Sequence, residues 1–329
     1  MKNLQRIIKQ IALENNLSYE VLSCDLIIKL TKDNKIRYIN GYKFGLNSHS
    51  LGLILDDKYA TYELLNSLNI KVCKHHILFR PNNHNSYAKN YNSFKYCYDL
   101  FLKYNKNVIL KVNNGTCGDG VYHITTKNKL KKIYNYLLKY NFSISLCPYY
   151  NVKNEYRVIL LNNEIKIIYE KINPVVIGNG KDKLIDLLKE FNINYFSNKN
   201  NLKKKINYNK ILKNNEEFIY DFKFNLSKGS IINEDILKET KTIVSKMAKD
   251  VSKKINLGFG SIDIIKTIDD KYYVLEINSG VMIENYIKLT TDGYNKAKKV
   301  YEEAVLEMFK WKCKIFLKSF IFIINLWYN

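Results

Sequence analysis

The chain has 329 residues, 46% hydrophobic and 26% charged. That composition excludes a disordered, collagen-like or disulfide-framework protein and suits one large or two to three fused lobes. Lysine and arginine number 53 against 31 acidic residues, a formal charge of +22, which by default points to nucleic acid or an anionic membrane surface.

In chain order, residues 1–16 read as an amphipathic helix rather than a signal peptide, because no apolar run follows the basic residues. Two β-rich runs within 25–41 flank the polar pair Asp33-Asn34 and predict a hairpin. Helical spacing over 57–68 leads into a short β run at 70–73. Strands are predicted at 107–112 and 121–124, with the glycine-rich NNGTCGDG between them, and a helix at 127–140. Segments 143–146, 156–161 and 165–170 alternate as strands, the last two joined through Asn162-Asn163. Residues 189–217 are dense in Asn and Lys and read as a mobile insertion. A helix at 233–255 precedes strands at 261–266 and 272–278 around Asp269-Asp270, and a final helix fills 293–309. The apolar stretch 315–328 is shorter than the roughly 20 residues that span a bilayer and is broken by Lys318. It reads as a packed terminal helix, with peripheral membrane contact as the alternative. Strands and helices intermix without a βαβ rhythm, so the expected class is α+β lobes.

The charge is made almost wholly of lysine. Only Arg6, Arg37, Arg80 and Arg157 are arginine, whereas readers of nucleic acid favour the planar arginine fork. The lysines are scattered, and Asn, Ile, Tyr and Phe are abundant beside scarce Ala, Gly, Pro and Trp, a bias toward A/T-rich codons. The net charge therefore reads as codon bias on a solvated surface. The six cysteines form no CxxC pair, which fits reduced thiols in a cytoplasmic protein.

Three constellations carry possible chemistry. The first is Lys111 followed by Gly115, Thr116, Gly118 and Gly120. Glycines let backbone N–H groups approach and cradle an anion, Thr116 adds a hydroxyl, and Lys111 adds charge against phosphate. The lysine precedes the glycines, so this is not a Walker loop; an ordinary glycine hairpin is the alternative. Cys117 within it is a weak candidate nucleophile. The second is Asp263 with Glu276 and Asn278, which share one face of a strand across a hairpin and suit a hard cation such as Mg²⁺; an exposed charged strand face is the alternative. The third is Arg157, an arginine in a lysine-writing sequence, with Lys171 further on. It suits bidentate anion recognition, against a structural ion pair with Glu155 or Glu170. The five histidines read as ordinary.

In this order, these residues resemble the ATP-grasp superfamily of carboxylate–amine ligases, in particular the cyanophycin synthetase and glutathione-forming branch, over about 56–285. Asp57-Lys58 with Thr61 and Leu64-Leu65 looks like its DK-x-x-T-K-x-L-L helix start, residues 108–111 with the glycine loop like its VVKP strand and lid, Glu155-Tyr156-Arg157-Val158 like EYRV, and residues 176–181 like VVGDGK. Asp263 and Glu276 keep the family's 13-residue separation. Departures are Tyr62 for a lysine, Val112 for a proline, Pro148 in a hinge position often acidic, Lys171 for an arginine, and Ser279-Gly280 after Asn278. The resemblance implies an ATP-grasp fold of two α+β lobes with ATP between them, a short N-terminal region (1–55), a ligase domain (56–310) with its lid at 113–120, and an apolar tail (311–329). It implies that Lys58, Lys111 and the loop hold phosphates, Pro148 and Tyr149 hold adenine, and Glu155 holds ribose. Asp263, Glu276 and Asn278 would hold Mg²⁺ (or Mn²⁺), while Arg157 and Lys171 would steady transferred charge. The implied reaction is ADP-forming amide synthesis through an acylphosphate. Its partners are small carboxylate and amine substrates such as amino acids or short peptides, with no nucleic acid and no membrane span; the oligomeric state is left open, dimers being common among similar ligases. A non-catalytic ATP-binding module is the alternative, and a basic nucleic-acid-binding protein a more distant one.

Overall fold

The computed structural model describes residues 2–81, 91–115, 118 and 120–310. The apolar tail expected as a terminal helix lies outside the described residues, as do Thr116 and Cys117. The described chain forms two compact units, one of residues 1–46 with 298 onward, the other of 47–297. The second thus begins nearer the N-terminus than the boundary read from sequence at 55/56.

The first unit starts with α1 (Lys2–Glu14). Its Leu4, Ile7, Ile8 and Ile11 are all buried, which is the i, i+3, i+4, i+7 stripe of a helix on a core. A meander of β1 (Ser18–Leu22), β2 (Ile27–Lys32) and β3 (Lys35–Asn40) follows in the order β1-β2-β3. The β2–β3 turn has φ of 48° at Asp33 and 60° at Asn34, the left-handed pair that matches strand twist in a two-residue hairpin.

The second unit is built on two antiparallel sheets. Its elements run α2 (His49–Asp56), α3 (Lys58–Ser67), β4 (His76–Phe79), α4 (Phe94–Lys103), β5 (Val108–Val112), β6 (Val121–Ile124), α5 (Lys127–Tyr140), β7 (Ser143–Pro148), β8 (Val152–Leu161), β9 (Glu164–Ile172), β10 (Val175–Ile177), α6 (Leu184–Phe191), α7 (Ile193–Phe196), β11 (Glu217–Ile219), β12 (Ile231–Asn233), α8 (Lys238–Lys254), β13 (Phe259–Thr267), β14 (Tyr272–Asn278), α9 (Glu284–Leu289) and α10 (Gly293–Phe309). From Lys298 on, α10 belongs to the first unit. The smaller sheet has the order β4-β7-β5-β6 and the larger β12-β9-β8-β13-β14. The smaller sheet buries Val108, Leu110, Ile124, Ile144 and Leu146 against Cys97, Leu100 and Phe101 of α4 and Leu130, Tyr134 and Leu137 of α5. The larger buries Tyr156, Val158, Ile262, Ile264, Val274 and Ile277 against Leu51, Leu55, Leu65, Val244, Ala248 and Val251. Strand side chains alternate, so in each sheet the covered face leaves the odd-numbered residues of β5, β7, β8 and β13 on the other.

The segment read as a mobile insertion is folded. Its Phe196 and Leu212 are buried in a third, smaller core with the flanking Leu184, Leu188 and Tyr220, and its last residue, Glu217, starts β11, which pairs with β10. Its Asn and Lys density hid widely spaced apolar residues, which a period-based reading does not gather. The helix expected from 233 begins at Lys238, because Ile231–Asn233 pairs with Ile172–Glu170 as an edge strand.

Candidate functional site: two facing sheets with opposed charges

The uncovered faces of the two sheets meet in an apolar cluster of Cys73, Cys147 and Ile265, with Ile109, Tyr150, Val152, Tyr273 and Leu275 packed on it. Around this cluster stand the charged residues singled out from sequence. On the smaller sheet, Lys111 lies opposite Ser145 of β7 and Val121 of β6. Lys111 is only 7% exposed, yet among the described residues no carboxylate pairs with it. A largely buried lysine with no carboxylate beside it among the described residues is a place where an anion is favoured. Ser145 Oγ is 2.7 Å from His75 Nδ1. Burial, then the charges of Lys111 and Lys58, push the His75 imidazole well below its ordinary value, so it is neutral. Burial likewise pushes the Cys147 thiol up to about 11 and holds Cys73 well above its usual value.

Lys58 reaches the same place from the first turn of α3. Asp57 caps that helix by accepting from Ala60 N (2.8 Å) and accepts from Asn113 Nδ2 (2.6 Å). Lys58 Nζ donates to the carbonyls of Asn113 (3.3 Å) and Gly115. Its pKa is lowered by burial, with Glu276 opposing and Lys111 adding to the fall. The glycine loop starts at Asn113, and Val112 N donates to Gly120 O (3.3 Å) at its base. Proline, which the family pattern carries at 112, has no N–H for this bond. Gly118 and Gly120 have φ of 68° and 67°. A Cβ on Gly120 would lie 2.8 Å from Val112 Cγ2, so both backbone shape and space require glycine there.

On the larger sheet the register brings four strands' charges into one row. Asp263 on β13 lies opposite both Arg157 of β8 and Glu276 of β14, and Glu155 lies opposite Lys171 of β9. Arg157 donates to Asp263 in a fork, Nε to Oδ1 at 2.7 Å and Nη2 to Oδ2 at 2.6 Å. Lys171 Nζ pairs with Glu155 and stands 3.3 Å from Asp263 Oδ2. The partner of Arg157 is thus Asp263, not the Glu155 or Glu170 weighed from sequence. Those two are its neighbours along or near β8, while the sheet register sets Asp263 directly across. Burial pushes the Asp263 carboxyl up, but Arg157 and then Lys171 outweigh it and hold it well below the usual carboxylate range. Burial raises Glu155 to about 7 against the pull of Lys171.

The residues expected to hold a metal come together in part. Asn278 Nδ2 donates to Glu276 Oε1 at 3.3 Å, and Glu276 faces Asp263 across the hairpin. A bulge after Asp263 shifts the register so that Ile264 meets Val274. Val274 and Ile277 then both enter the core although three apart, while Leu275 joins the cluster between the sheets. Among the described residues no group of three His, Cys, Asp or Glu side chains is placed to hold a metal. Asp263 accepts two hydrogen bonds from Arg157 and faces the Lys171 ammonium, which leaves about one of a carboxylate's roughly four lone-pair sites. Glu276, Asn278 and that remaining site are all oxygen donors, a set that fits Mg²⁺.

Pro148 ends β7, and Tyr149 follows it with its N–H on Asn107 O (3.1 Å). The Tyr149 ring stacks on His123 at 4.1 Å and 17°. His123, read as ordinary from sequence, projects from the same face as Ile109, its register partner. Only the pairing of β5 with β6 reveals that position.

No family model and no curated protein match the chain. Among solved structures it is similar to the bifunctional glutathione synthetase from Pasteurella multocida (14% identity, TM-score 0.49, covering 92% of this chain and 44% of that one). It is also similar to the D-alanine–D-alanine ligase from Bacillus anthracis (14%, 0.49, 78% and 66%) and to the ATP-grasp ligase PsnB complexed with minimal precursor (11%, 0.44, 78% and 64%). The chain spans less than two thirds of the length of each, and at these scores the likeness assigns no residue a role.

Proposed function

We propose that the chain is an ATP-grasp enzyme that uses ATP to join a carboxylate to an amine, releasing ADP and passing through an acylphosphate. The observation that carries this reading is Lys111, a largely buried lysine on an uncovered sheet face, without a carboxylate partner among the described residues and beside Lys58 and a glycine loop. That arrangement is suited to a polyphosphate, whose oxygens replace the missing counter-charge. Across the cleft the charged row supplies the other half of the chemistry. Glu276, Asn278 and the remaining lone pair of Asp263 would hold Mg²⁺, which supplies positive charge against phosphate oxygens. Arg157 and Lys171, fixed by Asp263 and Glu155, keep two cations where an attacking carboxylate and its acyl oxygen carry charge in the transition state. Pro148 and Tyr149 would border the adenine. The apolar cluster of Ile109, Cys147, Ile265 and Leu275 keeps water from the back of the cleft, which protects a hydrolysable acyl intermediate.

The two substrates would be small molecules such as amino acids or short peptides. A phosphate-release screen of amino acids and dipeptides in pairs, with ATP and Mg²⁺ and products read by mass spectrometry, tests this. Turnover should require both an acid and an amine and should vanish in Glu276→Ala; unchanged turnover in that variant would remove Glu276 from the site. A nucleotide-binding module without ligase activity is the second reading. It is favoured by the fork from Arg157 to Asp263, which occupies the cation otherwise available to a substrate. ATP binding with no phosphate release for any pair would select it.

A further inference from the structure

The segment 221–225 leaves the small third core and crosses to the cleft. It is anchored behind: Lys203 Nζ donates to Asp221 Oδ2 at 3.0 Å, Asn173 Nδ2 to Asp221 O at 3.1 Å, and Lys223 N to Asp221 Oδ1 at 3.1 Å. In front it touches both ends of the smaller sheet's uncovered face. Lys223 Nζ donates to Gly118 O at 3.0 Å, and a Cβ on Gly118 would lie 3.1 Å from Asn225 Nδ2. At the other end the Phe222 ring lies 5.8 Å from His123. His123 is itself stacked on Tyr149 and fixed by Asn107 Oδ1, 2.7 Å from its Nε2. Burial, then Lys129, lowers the His123 pKa, so the ring is neutral in this group. Three flat rings from three separate elements therefore border the apolar cluster of Ile109 and Cys147. The Tyr149 and His123 faces lie 17° apart and Phe222 tilts from His123 by 55°, aromatic surfaces that suit the flat π-system of a ligand, while Lys111, two residues along β5 from Ile109, the register partner of His123, suits negative charge on the same ligand.

We propose that Phe222, supplied by the segment that follows β11, completes an aromatic wall that takes the base of the nucleotide, and that Lys223 fixes this wall to the glycine loop through Gly118. The inference rests on the reading of the cleft as a nucleotide site. It makes base recognition depend on a residue from the segment that follows β11, outside the two sheets on which the phosphate site is proposed.

The test compares two probes on the full chain by isothermal titration calorimetry with Mg²⁺: ATP, which has the base, and inorganic tripolyphosphate, which lacks it. Phe222→Leu keeps an apolar side chain but removes the π face, and Phe222→Trp keeps the face. Stacking worth the usual amount per base predicts that Phe222→Leu weakens ATP about tenfold and leaves tripolyphosphate unchanged, with Phe222→Trp near the parent. Unchanged tripolyphosphate binding also shows that the variant is folded. No loss for ATP in Phe222→Leu, or equal loss for both probes in a variant whose thermal unfolding matches the parent, would overturn the wall, and binding of both probes by the parent leaves the nucleotide reading standing. A parent protein that binds neither probe would overturn the nucleotide reading itself.

Discussion

Asp263 sits 1% exposed among three polar neighbours, and its environment makes a quantitative claim. Removing it as Asp263→Ala leaves Arg157 and Lys171 buried with one carboxylate between them, and an uncompensated buried charge of this kind costs about 3–5 kcal/mol. Denaturant unfolding should show that loss. The pH dependence has a definite sign. The carboxyl is held below its unfolded value of 3.8, so its stabilisation is present above about pH 4 and is lost as the pH falls through the folded value. The parent should therefore lose stability more steeply than Asp263→Asn as the pH falls from about 4 to 2; parallel curves would mean that the carboxyl is not ion-paired. How far this was legible from sequence differs by residue. The opposition of Asp263 and Glu276 follows from a hairpin, because two local strands and a short turn fix the register. The fork from Arg157 joins residues 106 apart in sequence, and only the pairing of β8 with β13 sets it. Lys171 and Glu155 were both singled out, but for an anion and for ribose; their mutual ion pair depends on the β8–β9 register.

At the level of elements, α3 links helix capping to the candidate phosphate site. Asp57 satisfies an end-of-helix N–H through one oxygen and the fully buried Asn113 through the other. Asp57→Ala should cost about 2 kcal/mol, the sum of a cap and a buried amide left short of a partner. Asp57→Ser should recover the cap portion alone, which thermal unfolding of the three proteins resolves; full recovery by serine would show that the Asn113 bond contributes nothing. Regular elements were read well where local chemistry decides. The helix at 127–140 has a Thr126 cap and buried residues at 130, 134, 137 and 138, and the β8–β9 turn carries left-handed φ at Asn162 and Asn163. Elements that escaped notice lack such signals. β1 and β4 are four or five residues long and become strands by pairing with β2 and β7, and α4 mixes aromatic and β-favouring residues that packing forces into a helix.

Across the whole molecule, the charge of +22 is carried by scattered lysines rather than by one arginine-lined face. Any association with DNA should therefore be sequence-independent and fade between about 50 mM and 200 mM salt, as counterion release dictates. Sequence-selective retention at the upper salt would return a nucleic-acid function to consideration; filter binding with unrelated duplexes measures it. Among the described residues no helix is long and apolar enough to cross a membrane. By itself the sequence determined the α+β class and most strands and helices of the sheets, and it supplied the residues on which the phosphate and cation sites are proposed. These rest on period, turn chemistry and composition, all of which act over a few neighbouring residues. Only the tertiary structure decided that Arg157 and Lys171 share Asp263, that the lysine-rich insertion folds around its own core, and that Phe222 meets His123 and Tyr149. Those pairings join residues far apart in the chain, and sheet register and burial, rather than local preference, select them.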